Sequence, residues 1–386
     1  MEGIINGKVI LENRIVENKV LLFDEKILDI VDICEVSNYK NLQLIDADGK
    51  YVSPGFIDLH VHGYGGYDTM DGSLESIEMI SNLILKNGIT GFLPTTMTMD
   101  MSSIHSALDS VRDCLKKELN GAQVLGAHLE GPFINPKYKG AQNEMYIIKP
   151  NYNLIKDYLD VIKIITLAPE IDGSSSFIKE VKKHSGVTLS IGHSSATYED
   201  ALKAFKEGSI TYATHLFNAM PPLHHRSPGV VGAVFNCDKV TCELIADKIH
   251  VHPGIFKILV NIKGSNKMVL VTDCTRAGGL EDGLYNLGGQ EIKVESGACK
   301  LEDGTLAGSI LNLNEGLKNF IENTDIDIFD AIKMVSLNPA RVLGLESVKG
   351  SIEKGKDADI TIFDSNFKVD LTIVKGKVLF NDIQEA

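Results

Sequence analysis

The sequence predicts an α/β fold. It reads as a (β/α)₈ TIM-like barrel over residues 53–350, with a small β-sandwich domain built from both chain termini, residues 1–52 and 351–386. Three observations support this. Short apolar runs alternate with helical patterns through the middle of the chain, and the two ends share a different, β-rich texture. No G-x-G-x-x-G follows the first strand of the alternating region, which counts against the doubly wound open sheet as the alternative.

At the N-terminus, residues 3–11 carry an Asn-Gly turn signal between two β-rich stretches, and 20–23 and 42–45 continue the strand pattern. Barrel strands are expected at 55–60, 91–94, 124–129, 162–167, 187–191, 212–216, 241–245 and 268–272. Helical patterns fall between them, as at 74–86, 102–119, 176–184 and 199–208. Eight candidate strands favour closure into a barrel. Beyond them, 359–363 and 371–374 are strand-like, and 375–380 contains another Gly-centred turn. Segments 5–9 and 374–378 resemble each other. Either end alone is too short for a stable core, so the two are expected to assemble together rather than as independent caps.

Composition narrows the function classes. With 44% hydrophobic residues, the chain of 386 can bury a large core. Its 52 acidic and 38 basic residues leave a net charge of -14, which repels a nucleic-acid backbone. The densest basic cluster, Arg112 with Lys116 and Lys117, reads as a solvated helix face. An anionic small molecule stays compatible, because a few local cations define a pocket. Cys34, Cys114, Cys237, Cys242, Cys274 and Cys299 form no C-x-x-C pair and suit reduced thiols. The start lacks an export signal, and no apolar run approaches the ~18 residues of a membrane span. A cytoplasmic protein without nucleic-acid or membrane partners is expected.

The chemistry gathers at the expected C-terminal strand ends, where a barrel of this kind carries its active site. The first strand ends in His60-Val-His62, and residues i and i+2 of a strand share a face. Later ends supply His128-Leu-Glu130, His193, His215 and Asp273. A single strand-end histidine is ordinarily a satisfied polar group, and H-x-H arises easily among 11 histidines. Convergence of four of these histidines, His60, His62, His193 and His215, with one glutamate and one aspartate, each just past a different apolar run or paired on one, points instead to a shared divalent metal, Zn or Fe by ligand type. Cys274, beside Asp273, reads as a core thiol rather than a nucleophile.

The stretches P-G-F-I-D-L-H-V-H at 54–62, H-L-E-G-P-F at 128–133, G-H-S at 192–194 and T-H-L-F-N-A-M at 214–220 resemble the N-acetylglucosamine-6-phosphate deacetylases of the amidohydrolase superfamily. D-K-I-H at 247–250, Thr272-Asp273 and L-A-G-S at 306–309 extend the resemblance. It implies Glu130, His193 and His215 as ligands of one metal, and His60 and His62 holding a second with Glu130 bridging, so one or two divalent ions per subunit. Asp273 is implied as the general base that takes a proton from the attacking water, then returns it to the departing amine. The resemblance places Ala141, Asn218, Ala219, Arg226, His250, Leu306, Ala307 and Gly308 around a sugar phosphate, with Arg226 reaching into the neighbouring subunit of a homodimer. His224 and His225 either add charge there or only line the loop, and His252 has no role. One departure stands out: Gln142 occupies a position where many members carry a histidine facing the acetyl carbonyl. Its amide N–H₂ is able to donate to an oxyanion but not to become cationic.

The expected reaction is hydrolysis of the acetamide of N-acetylglucosamine 6-phosphate to glucosamine 6-phosphate and acetate. The rivals are the same chemistry on the galacto epimer, and a catalytically silent scaffold that would have lost its ligands.

Overall fold

The computed structural model describes residues 1–206 and 209–383. The last two residues of the helix expected at 199–208, Glu207 and Gly208, and the final three of the chain lie outside the described residues.

Eight parallel strands form the barrel sheet, here β1 (Phe56–Val61), β2 (Ile89–Thr96), β3 (Ala127–Glu130), β4 (Ile162–Leu167), β5 (Thr188–Ile191), β6 (Tyr212–Ala213), β7 (Thr241–Ile245) and β8 (Met268–Val271). Each pairs in parallel with the next. The ring is drawn closed just beyond the strand ends, where Asp273 N donates to His60 O at 2.9 Å and His62 N to Cys274 O at 2.9 Å. These strands are buried along nearly their whole length, which is why they read as apolar runs rather than as alternating patterns.

The helix Met101–Leu115 shows why the outer layer forms. Asp100 caps it by accepting from Ser103 N at 3.0 Å, and Ile104, Ala107, Leu108, Val111 and Cys114 make one buried stripe at helical spacing. Its basic cluster lies on the outer face, as expected, and is also paired, Arg112 with Asp160 and Lys116 with Asp113. The β3–β4 connection is different. Over 131–161 it contains only single 3-10 turns among the described residues, and its residues 140–142 reach the cleft at the barrel mouth.

Three departures from the sequence reading concern strands. The run expected at 124–129 is divided into Gln123–Val124 and Ala127–Glu130, because Gly126 takes a φ of 134° between them. The strand expected at 212–216 stops at Ala213, since His215 turns left-handed. A three-stranded antiparallel sheet over Gly283–Leu287, Gln290–Glu295 and Ala298–Lys300 was not anticipated within the barrel region.

The termini form a four-stranded and a six-stranded sheet; the latter interleaves strands from both ends, with Tyr51–Pro54 paired to Ile360–Phe363. Ile4, Phe23 and Ile27 of the first sheet share one apolar cluster with Val52, Ile362 and Ile373 of the second. The two similar Gly-centred turns behave differently. Lys375-Gly376, both at positive φ, closes a hairpin that pairs Val374 with Lys377. Asn6-Gly7 instead carries the chain from one sheet to the other, because Glu2–Ile5 and Lys8–Ile10 find their partners in different sheets. Where the six-stranded sheet meets the barrel, buried Lys349 reaches Asp359 at 2.7 Å, Asp357 at 3.0 Å and Gln123 Oε1 at 3.2 Å.

Candidate metal centre

The candidate ligands come from five strand ends. On β1, Asp58 and His60 share the inward face, and His62 continues it just past the strand, while Ile57 and Leu59 join an apolar cluster with Ile245 and Val271. Glu130 ends β3. His193, His215 and Asp273 follow β5, β6 and β8 in left-handed backbone, with φ of 47°, 29° and 51°. Such conformations cost roughly 1–3 kcal/mol each for residues with a Cβ and cluster where function demands a side-chain direction. Gly308 belongs to the same rim. A Cβ there would lie 2.9 Å from Asp273 O, and the close approach lets Ser309 N donate to that oxygen at 2.8 Å.

The donor atoms converge. Glu130 Oε1 lies 3.2 Å from His193 Nε2 and 3.1 Å from His215 Nε2, and those two nitrogens are 3.1 Å apart. On the other side, His60 Nε2 and His62 Nε2 are 3.3 Å apart and lie 3.4 and 3.2 Å from Asp273 Oδ1. Glu130 stands between the groups, 3.4 Å from His60 Nε2 through Oε1 and 3.3 Å from His62 Nε2 through Oε2.

The far side of each ring decides what faces inward. His60 Nδ1 binds Glu243 Oε2 at 3.1 Å, His62 Nδ1 binds Thr95 O at 3.2 Å and His193 Nδ1 binds Tyr138 O at 3.0 Å. These acceptors keep the proton on Nδ1, so the Nε2 lone pairs point at one another and at carboxylate oxygens. That arrangement repels itself unless positive charge lies between. Ligand bonds of about 2.0–2.1 Å place neighbouring donors roughly 3.0–3.4 Å apart around one ion, which is the spacing seen. The residues therefore fit one or two divalent cations.

The carboxylates around these rings create the same demand for positive charge. Burial opposes charge throughout, yet Asp273 and Glu130 raise His62 to about 9 and, with Glu243, hold His60 well above its usual value. Glu130 is held far below the carboxylate range, despite burial, by His60, His193 and His215. His128 sits just behind the centre but is not a donor to it. Its Nδ1 binds Leu59 O at 3.0 Å, its Nε2 binds Thr166 Oγ1 at 2.7 Å, and burial drives it down to about 4.

A cleft of about 230 Å³ opens over these donors. Ala141, Gln142, Asn218, Ala219, His250, Leu306 and Gly308 line it, as do Met97, Leu287 and Thr305, which the sequence reading did not single out. Leu287 comes from the unanticipated three-stranded sheet, whose Gln290 also binds Ala141 O at 2.6 Å. Ala307 turns away into an apolar cluster with Ile292 and Val294. Arg226 is exposed outside the lining, with Nη1 2.7 Å from His225 Nε2, and His224 Nδ1 accepts from Arg226 N at 3.3 Å. His252 accepts from Gly254 N at the start of a helix.

Two side chains acquire a place only in the structure. Asp247 binds His250 Nδ1 at 2.6 Å, which fixes that ring at the cleft wall. Gln142 lines the cleft and commits one N–H to the metal centre: Nε2 donates to Glu130 Oε2 at 2.7 Å and approaches Met97 Sδ at 3.7 Å, while Oε1 accepts from Thr98 N at 2.7 Å. Cys274 is buried, its thiol pushed well above the usual range by burial, as a core residue should be.

Residues 51–379 match the Amidohydrolase family. The chain is 40% identical to an N-acetylglucosamine-6-phosphate deacetylase of Bacillus subtilis (strain 168), over 96% of this chain and 95% of that one. It is 35% identical to an N-acetylgalactosamine-6-phosphate deacetylase of Escherichia coli O157:H7, over 87% of this chain and 90% of the relative. A crystal structure of N-acetylglucosamine-6-phosphate deacetylase from Pasteurella multocida superposes with a TM-score of 0.92 at 34% identity, covering 98% of this chain and 99% of that one. No helix among the described residues is long and apolar enough to cross a membrane.

Proposed function

The chain belongs to the amidohydrolase family, and from that premise we propose that it hydrolyses the acetamide of N-acetylglucosamine 6-phosphate to glucosamine 6-phosphate and acetate. The observation that carries the reading is the pair of donor groups around Glu130 at the floor of a sugar-sized cleft.

Glu130, His193 and His215 would hold one divalent cation, and His60 and His62 a second with Glu130 between them. A cation there supplies Lewis-acid polarisation of the amide carbonyl and acidifies water. The chain's own residues do the rest. Asp273 takes the proton of the attacking water and delivers it to the departing nitrogen, so that an amine leaves rather than an amide anion. His60 and His62 lie 3.4 and 3.2 Å from its Oδ1, and a dication held beside it would keep the carboxylate ionised, as a base requires. His250, braced by Asp247, and Asn218 with the Ala219, Leu306 and Gly308 backbone orient the sugar. Gln142 acts through Glu130 rather than on the substrate.

The phosphate needs positive charge, and the cleft lining contains no lysine or arginine among the described residues. This supports the reading that Arg226 of a second copy completes the site in a homodimer. Its planar fork suits phosphate oxygens.

The test is acetate release by metal-stripped protein refilled with defined ions, on N-acetylglucosamine with and without the 6-phosphate. Turnover should require both metal and phosphate, and Arg226→Ala should raise KM for the phosphorylated sugar. Equal turnover of the unphosphorylated sugar would refute the phosphate reading. The similarity to the Escherichia coli relative makes the galacto epimer the necessary second substrate in the assay.

A further inference from the structure

We propose that Glu243 is a positioning residue that ties the two groups of metal donors into one unit, holding the His60 ring and the His215 backbone on a single carboxylate oxygen. The proposal rests on the metal reading above and is independent of which sugar is hydrolysed.

Glu243 lies in the middle of β7, in the otherwise apolar run T-C-E-L-I, and is fully buried. An ionised carboxylate placed there is strongly disfavoured unless its surroundings compensate it. Its Oε2 accepts from His60 Nδ1 at 3.1 Å and from His215 N at 3.0 Å. His60 belongs to the donor group with His62 and Asp273, and His215 to the group with Glu130 and His193. One oxygen therefore touches both.

The two contacts do different things. At His60 the carboxylate keeps the proton on Nδ1 and leaves the Nε2 lone pair facing the centre, and it makes that nitrogen a more basic donor. At His215 it grips the backbone where β6 has ended and φ is 29°. The main chain of Glu243 secures the next residue as well, since Leu216 N donates to Glu243 O at 3.0 Å. Residue 243 thus brackets the left-handed turn from its side chain and its carbonyl, and the turn aims His215 Nε2 at Glu130. An apolar residue at 243 would release the His60 ring and leave His215 N–H buried without an acceptor.

The test uses metal-stripped parent, Glu243→Gln and Glu243→Ala, titrated with Co²⁺ and followed by visible absorption and bound-metal stoichiometry. Circular dichroism and thermal melts check folding. The glutamine oxygen still accepts both bonds but without the charge, so that variant should keep the parent's stoichiometry with roughly 10-fold weaker affinity. The alanine variant should lose about 10–100-fold and show an altered ligand-field spectrum. A folded Glu243→Ala protein with the parent's affinity and spectrum overturns the proposal. If the alanine variant does not fold, parent-like affinity and spectrum in Glu243→Gln overturn it instead. A parent chain that binds no Co²⁺ would overturn the metal reading and this proposal together, whereas absence of acetate release with normal Co²⁺ binding would count only against the substrate.

Discussion

Gln142→Leu separates two roles that a cleft-lining amide is able to play. The side chain is 3% exposed and leucine is comparable to it in volume, so no large cavity opens. What disappears is a hydrogen bond of 2.7 Å to Glu130 Oε2 and an acceptor 2.7 Å from Thr98 N. A hydrogen bond to a charged group contributes roughly 1.5–3 kcal/mol. Loss of an outer group that orients a metal-binding carboxylate typically weakens metal affinity about 10–100-fold. The orphaned Thr98 N–H adds a stability cost of roughly 1–3 kcal/mol. With an unfolding entropy of roughly 2.1 cal/mol/K per residue, that lowers Tm by about 1–4 °C for this chain. Competitive metal titration and a thermal melt measure both. A variant with the parent's metal affinity and Tm but a depressed kcat would refute the reasoning and return Gln142 to direct contact with the substrate.

Two further outcomes follow from the geometry. Asp273→Asn should lower kcat by about 10²–10⁴ while the protein stays folded, because the amide cannot accept the water's proton; less than a tenfold loss in steady-state kinetics would remove Asp273 from that role. Lys349→Met removes one partner of a buried cluster and should cost about 3 kcal/mol, the low end for such pairs, because Asp357 keeps Lys26 and Asp359 keeps Gln123 and Lys375 N. The pH window follows from the same contacts. Lys349, despite burial, is raised by Asp359 and Asp357, so its contribution is present below its ordinary value and lost as pH rises through the elevated one. Asp357, despite burial, is lowered by Lys26 and Lys349, so its contribution is present above its ordinary value of 3.8 and lost as pH falls through the depressed one. Urea titrations should therefore show the variant's deficit between about pH 4 and pH 10 and its shrinkage in acid; a constant deficit down to pH 2 would contradict the ion-pair account.

Much of this was legible in the chain itself. Strand periodicity and strand-end histidines need only local information: a buried parallel strand is apolar along its length, and a residue just past it stands at the barrel mouth. His60, His62, Glu130, His193, His215 and Asp273 were each visible on that ground, and the structure brings them together. The three-stranded sheet at 283–300 was missed because its alternating, half-exposed pattern interrupts a region read for barrel elements.

Residue types at strand ends, their order and the β texture of the two termini are properties of the chain, set by backbone periodicity and side-chain chemistry. Which atom each donor presents was decided only in three dimensions. Glu243, Thr95 and Tyr138 fix the imidazole protons, Glu243 also grips the turn at His215, and Gln142 turns inward to Glu130. Hydrogen bonds act over about 3 Å, so a partner 183 residues away, as Glu243 is from His60, has no trace in local sequence until the barrel closes.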